Sequence, residues 1–429
     1  MPKLAQYEVI VVGGGTAGCA AAYIAGKSGL RTLLVEKNIH LGGTMTSGLV
    51  IPAMNSSQNQ INTDFYKALI KELKPLNGQA TYMNNPGWFN PELCKIALDR
   101  LMAKANVEVL FDTHIVGVNT LNKEIDGLML SSNMLSVYIG AKYVVDATGN
   151  CDVAKLAGAE FIQNENEFQP VSLRFEMSGI NLNTFSSWLL DYDKDRTVTT
   201  MQLIDGQIHL STAYTWDTRP KDKIKWALEP LFLDAVKEKV LKDSDRSYFQ
   251  LFTIPNMLSS VAFNCPRVYL DTDVNPLDNS DISKALIEGR EAIVRIANFC
   301  KAYFPGFEKS YISNIADMLG VRVSRRIKGK YVYTINDLKT GKKFENPVLI
   351  SNYPIDIHSN KKGESVLEHS VVEYQLPMES LMSADFRNLF VAGRCLSADF
   401  HAHAALRIQP SCFSMGEGIA KWIKMNHCK

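Results

Sequence analysis

Three observations predict an α/β fold with a parallel central sheet and a β-meander, interrupted by an inserted, β-rich α+β segment. Residues 7–36 run strand, glycine turn, small-residue helix, strand. Residues 113–147 read as short β-rich runs ending in a buried strand, with Thr148-Gly149 directly after it. Residues 388–393 repeat the strand-then-glycine pattern far downstream, and the stretch between differs in composition. Residues 1–160 and 386–429 are therefore expected to form one domain in two parts, with 161–385 as an inserted second domain.

Tyr7–Val12 is a short apolar run, as in a strand buried on both faces. Gly13–Gly18 makes a tight turn into an Ala-rich helix, Thr16–Lys27, closed by Gly29. Arg31–Glu36 is the second strand. Pro91–Ala105 has helical apolar spacing and leads into the strand Val107–Phe111. The runs from Thr113 to Val145 are broken by Asn122-Lys123-Glu124 and Ser131-Ser132-Asn133, which gives the meander. In the insertion, Val171–Met177, Gln207–Thr212 and Arg267–Thr272 read as strands, and Pro230–Leu241 and Asp281–Tyr303 as helices. Residues 330–375 are again β-rich, Asn388–Gly393 is a strand, and Ser411–Lys424 is a helix.

With 46 Lys+Arg against 45 Asp+Glu, the 429-residue chain carries a net charge of +1, which disfavours nucleic-acid or polybasic membrane binding. At 46% hydrophobic and 21% charged it has globular composition. No apolar run approaches the roughly 18–20 residues of a membrane span. Eight cysteines include no C-x-x-C pair, so reduced thiols in the cytoplasm are expected, without a zinc ribbon or redox dithiol.

The chemistry begins at Gly13-Gly14-Gly15-Thr16-Ala17-Gly18, a G-x-G-x-x-G that follows a strand and opens a helix. Gly13 permits the turn, Gly15 lets a pyrophosphate reach the backbone, and Gly18 lets helix and strand pack closely. The helix N-terminus offers unpaired N–H groups to phosphate. Glu36 closes the second strand, where an acid accepts ribose hydroxyls and disfavours a 2′-phosphate, so NADP is not expected. These features make a Rossmann-like dinucleotide site; the plain alternative is a glycine-rich turn of any α/β protein.

A second glycine-rich approach, Lys37 to Gly43, runs into Thr44-Met45-Thr46-Ser47-Gly48. Val144 to Asn150 carries Ala147-Thr148-Gly149, and Asn388 to Arg394 ends in Gly393-Arg394. In this order the elements resemble the FAD-dependent oxidoreductases of the glutathione-reductase-like, two-dinucleotide superfamily. The resemblance narrows to the family called FAD-dependent oxidoreductase through Phe304-Pro305-Gly306-Phe307-Glu308, Leu319 to Gly329, Tyr353 to His358 and Ala392 to Ser397, with the tail Ala405 to Cys412. It covers essentially the whole chain. The chain departs from the family pattern at Val323, at His401-Ala402-His403 and at the polar end of the last helix.

The resemblance implies FAD, held by Gly13, Gly15, Thr16, Ala17 and Gly18 at the pyrophosphate, and by Glu36 and Lys37 at the adenosine ribose. It puts Ile115 at the adenine through its backbone, and Gly42, Gly43, Thr44 and Ser47 along the ribitol and flavin. Ala147, Thr148 and Gly149 come near the adenosine half, and Gly393 and Arg394 at the ribitol. The helix opening near Ser411 points its positive end at the flavin, where charge gathers on reduction. His40 and Cys395 lack the context of covalent attachment, so non-covalent FAD is expected.

Arg322, Arg325 and Arg326 are read as forks for a substrate carboxylate, or else as a structural salt-bridge network or a solvated strand face. His401 and His403 would face one way on a strand, as an acid/base, half a metal site, or plain structural histidines. No further grouping completes a metal site, so no metal is expected. Arg407 lies close enough to Ser411 to reach flavin or ligand. The expected reaction is hydride transfer between flavin N5 and an unidentified small substrate, an anion being one option, with a separate electron partner. With a single G-x-G-x-x-G and no dithiol, that partner is not a tightly housed NAD(P)H. A non-redox isomerase, hydratase or lyase using FAD structurally, and a flavin-sequestering protein, are the alternatives.

Overall fold

The computed structural model describes residues 6–133, 135–162, 168–215, 226–270, 273–358, 366–368 and 372–427. Its first sheet runs, edge to edge, Glu108–Leu110, Thr32–Val35, Gln6–Val12, Leu135–Asp146, Glu124–Ser132, His114–Leu121. The strand Leu135–Asp146 has two halves. Its first half pairs antiparallel with the meander, and its second runs parallel to Gln6–Val12 and to the late strand Leu389–Val391. Alternate residues of Gln6–Val12 go to opposite faces. Val9 and Val11 join a cluster containing the helices Thr16–Lys27, Pro91–Lys104 and Gln409–Asn426, whereas Ile10 and Val12 join one under the meander. Burial on both faces is why this strand reads as a continuous apolar run.

A second sheet of six strands is antiparallel: Thr199–Ile204, Gln207–Thr215, Tyr248–Thr253, Val261–Phe263, Phe175–Ser178, Tyr311–Ile315. Phe175, Met177, Phe249, Leu251 and Phe263 form one face of a separate core with the helix Asn279–Tyr303. Phe252, Ile254 and Ala262 instead pack into the core of the first unit. The period of two thus gives this sheet one face for itself and one for its neighbour. Residues 333–382 contribute Tyr333, Leu349, Tyr374 and Leu376 to that same first core.

Several elements differ from expectation. The helices Asp64–Leu73 and Leu182–Tyr192 were not foreseen, and the predicted Pro230–Leu241 helix is Glu229–Lys237. The last helix begins at Gln409, two residues early, with Pro410 in its first turn, where a missing N–H costs nothing. The predicted strand Arg267–Thr272 is realised as Arg267–Val268, and positions 271–272 lie outside the described residues, as does Cys428. The β-rich reading of 330–375 holds two short strand pairs and a capped helix, Ile335–Thr340. Among the described residues, no helix is long and apolar enough to cross a membrane.

Candidate functional site

The glycine turn is locked from three sides. Gly13 has φ +98° and donates its N–H to Val35 O at 2.7 Å. A Cβ on Gly18 would lie 1.8 Å from Gly13 O. In front of Gly15 the nearest atom to a Cβ would be the Gly43 Cα, 4.0 Å away. That open cradle is formed by a backbone bridge from Gly15 to Gly42, and Gly42 N donates to Gly14 O at 2.8 Å. The helix Thr16–Lys27 has no side-chain cap, so its first N–H groups face the cradle. Thr16 and Thr44 hydroxyls stand 3.3 Å apart across it.

Glu36 is buried and accepts from Gly14 N at 2.6 Å and from Asn38 N and Nδ2 at 2.9 and 2.8 Å. A carboxylate has about four acceptor positions, so one remains for a hydroxyl. Lys37 is exposed beside it. Thr113 N and Asp112 N bond to the Glu36 and Asn38 carbonyls, which brings Ile115 alongside the same strand end. Ala147 N bonds Val12 O, placing Ala147 against Gly13. Thr148 is occupied locally: its N–H and hydroxyl go to Asp146 Oδ1, and its Oγ1 accepts from Asp152 N. Burial pushes the Asp146 carboxyl up to about 6, against the donors Ala154 N and Thr148.

Gly393, at φ +73°, stands against Ala17 and Cys412, so the late strand delivers the C-terminal helix to the cradle. At that helix's start, the buried Ser411 Oγ and Gln409 Oε1 have no partner among the described residues. An uncapped helix end, an open glycine cradle, a buried acid and two orphaned polar atoms fit a dinucleotide cofactor. His40 Nε2 is paired with Ser47 Oγ at 2.8 Å, and Cys395 is packed under the meander with Cys151 N on its sulfur.

Arg394 is also fixed by the protein around it. Its guanidinium donates to Gly149 O, Asn150 Oδ1 (2.9 Å) and Val321 O (2.8 Å), tying three loops together. Lys in its place keeps charge and loses the fork. We expect Arg394→Lys to cost about 2–3 kcal/mol, read as a lowered Tm in thermal unfolding.

The two histidines are a correction. Phe400–Leu406 is a helix capped by Asp399, so positions two apart diverge instead of sharing a face. His401 is exposed, whereas His403 is fully buried and donates Nε2–H to Arg394 O at 3.0 Å. Burial, then Arg407 and Arg326, hold its imidazole down to about 3. It stays neutral at working pH and suits neither general acid nor paired metal ligand. The arginines also separate. Arg325 turns away to Asn150 O and Asp152. Arg322 and Arg407 converge on the side of Asp356 and His358.

Three site residues carried no motif. Arg174, just before the strand Phe175–Ser178, and Glu176 within it alternate with apolar residues and turn toward the first unit, where Arg174 Nη1 donates to Leu49 O at 3.2 Å. Glu176 is buried, with Oε1 lacking a partner among the described residues and Oε2 accepting from Asn314 Nδ2 at 3.3 Å. Burial raises its carboxyl to about 7. Arg267, also buried, donates to His358 Nδ1. The alternating charged pair at 174 and 176 was the one signal available in advance.

Residues 8–427 match the family model described as FAD dependent oxidoreductase. The chain is 30% identical over 155 residues to a digeranylgeranylglycerophospholipid reductase of Thermoplasma acidophilum, covering 33% of this chain and 39% of that protein. It is 26% identical over 164 residues to a thiamine thiazole synthase of Saccharolobus islandicus, covering 34% of this chain and 57% of that protein. The chain thus spans less than two thirds of the length of these curated relatives. Among solved structures, the flavin-dependent brominase Bmp2 superposes with a TM-score of 0.50 at 11% identity, over 99% of this chain and 80% of that one, which shows a shared fold.

Proposed function

The chain belongs to the FAD dependent oxidoreductase family, and from that premise we propose that it moves a hydride between a small substrate and N5 of the flavin. A separate partner closes the electron cycle. FAD is its cofactor. In this proposal Gly13, Gly15, Thr16, Ala17 and Gly18 hold the pyrophosphate, and Glu36 holds the ribose, with Lys37 and Ile115 beside the adenosine. Gly42, Gly43, Thr44 and Ser47 line the ribitol and flavin, Ala147 to Gly149 flank the adenosine half, and Gly393 and Ser411 complete the site without covalent attachment. The unit covering the substrate lies within 161–385 and centres on 171–321, whose side chains make their own core. Seven unpaired, buried cysteines among the described residues favour a reducing compartment.

The observation that carries this reading is the grip on the loop 47–50. Asp317 N donates to Ser47 O, Arg174 Nη1 to Leu49 O and Gln409 Nε2 to Val50 O. The flavin-side loop, the second sheet and the head of the C-terminal helix therefore meet at one place, and a substrate seated there is shut off from water. Glu176, on the face turned to that loop, replaces the histidines as the group that holds a proton, at its free Oε1.

Anaerobic titration with small carboxylates, amines and alcohols tests the reading, because a true substrate bleaches the flavin absorbance. A compound that turns over while the flavin stays oxidised throughout would reject hydride transfer in favour of a non-redox role. Glu176→Gln should lower kcat about 100-fold and remove one limb, near pH 7, from the kcat profile, with FAD content unchanged. An unaltered profile would return the proton to solvent.

A further inference from the structure

Arg322, Arg407 and, through His358, Arg267 gather around the Asp356 carboxylate, and Arg174 adds its charge to that of Arg322. Arg267 donates Nη2 to His358 Nδ1 at 2.6 Å, so the imidazole carries its proton on Nε2, 3.3 Å from Asp356 Oδ2. Arg407 Nη2 lies 3.7 Å from the same Oδ2, donates to Asp356 O at 3.0 Å, and reaches Gln169 Oε1 at 3.5 Å. Gln169 Oε1 also accepts from His358 N at 3.1 Å, which closes the ring. Arg322 is anchored on Pro170 O and on Ser172 Oγ (3.0 Å), and Ser172 pairs with Arg267. The strongest charges acting on Arg322 are the guanidiniums of Arg407, Arg267 and Arg174 and the carboxylate of Asp356. Four cations against that carboxylate leave an excess of three (four minus one).

The excess has donors to match. Arg267 Nε and Nη1, Arg407 Nε and Gln169 Nε2 are buried and have no partner among the described residues. Arg267 is 3% exposed and lies over the Tyr248 ring, 4.6 Å from its centroid. Buried, unpaired guanidinium N–H groups are expensive, and a planar fork is matched by an oxyanion. We infer that this cluster binds a small organic oxyanion of charge two or more, its head held by Arg267 and Arg407, with Arg322 and Arg174 completing the neutralisation. The inference rests on the proposed function only in taking this anion as the substrate. Dicarboxylates and phosphoesters share the required chemistry. The same field holds His358 neutral: burial first, then Arg322, bring its imidazole down to about 3, so it orients Asp356 without adding a fifth charge.

The test uses the FAD-loaded protein, titrated with succinate, inorganic phosphate or acetate at matched ionic strength while Tm and flavin absorbance are followed. Succinate or phosphate should raise Tm by several degrees and saturate, and acetate should not. Preference for phosphate assigns a phosphoester substrate, and preference for succinate a dicarboxylate. Arg267→Gln and Arg407→Gln should each weaken the dianion about 10- to 100-fold. With no anion present, both should keep their FAD and melt no lower than wild type, because each relieves like-charge repulsion. Arg387→Gln, a surface change, should bind as wild type. Dianions that leave wild-type Tm unmoved, variants that bind them unimpaired, or acetate equalling succinate would overturn the inference. Dianion binding without any flavin-bleaching substrate would sink the hydride-transfer reading and leave this site standing. Bleaching by a neutral alcohol with no dianion bound would do the reverse.

Discussion

Gly18→Ala is expected to give colourless, poorly folded protein. The added Cβ would lie 1.8 Å from Gly13 O and 3.1 Å from Ala147 Cβ, and neither neighbour has room to yield. Gly13 is tied to Val35 by its N–H and presses on the Ala147–Thr148 backbone, where a Cβ of its own would come within 2.5 Å of Ala147 O. Overpacking of this kind costs about 1–3 kcal/mol when side chains can shift, and more when the obstacle is backbone. Gly15→Ala is the informative companion. Its Cβ points into open cradle, 4.0 Å from Gly43 Cα, so the fold should survive while the pyrophosphate loses its approach. Circular dichroism and flavin absorbance per protein separate the two: Gly18→Ala should lose both signals, and Gly15→Ala only the second. FAD retention should fall about tenfold for each ~1.4 kcal/mol lost. A Gly15→Ala protein as yellow as wild type would move the pyrophosphate elsewhere.

The second large effect concerns acid. His403 is buried between Arg394, Arg326 and Arg407 and is held down to about 3, against an unfolded value of about 6.5. Its folded pKa lies below its unfolded one, so the unfolded chain binds its proton first. The contribution is intact above pH ~6.5 and is lost as pH falls toward 3; at pH 5 the loss is about 2 kcal/mol. His358, also held to about 3, adds a loss of the same sign. Glu176 and Asp146, raised to about 7 and about 6, act oppositely, because the folded state takes up their protons first and gains stability as pH falls. The whole acid curve mixes both signs, so the clean readout is a difference. His403→Gln keeps an amide donor for Arg394 O and removes the titration. Its stability relative to wild type should improve by about 2 kcal/mol between pH 7 and pH 5 in denaturant unfolding. An unchanged difference would mean that His403 titrates normally in the fold.

The dinucleotide half of the site was legible because its parts are local. Strand, glycines, helix and acid fall within residues 7–36, and each has a position-specific physical reason. The proposed anion cluster was legible only in part: Arg322 and Arg407 stand out in the sequence as substrate or ligand contacts, whereas Gln169, Arg267 and Asp356 join them only through the second sheet and the head of the last helix. His401 and His403 failed differently. A strand spacing for the pair two apart is overruled by its neighbours, because Asp399 Oδ1 caps Ala402 N at 2.8 Å and the alanines at 402, 404 and 405 favour helix. Nothing in the sequence announces the protein partners of Arg394, because Gly149, Asn150 and Val321 lie far from it along the chain.

The late strand Leu389–Val391 sets an order of events during synthesis. It completes a sheet whose other members precede it by most of the chain, and Asn388 Oδ1 accepts from Ile125 N across 263 residues. At roughly 5–20 residues per second, a ribosome takes about 13–50 s to cover that distance. For that interval the growing chain exposes the unpaired edge of Leu135–Asp146, a template for wrong partners. The six-stranded sheet, whose core is drawn from residues 171–319 and Leu49, is already synthesised and has time to fold in the meantime. With Gly393 and Ser411 in the proposed FAD site, nascent chains stalled before residue 389 should hold no FAD.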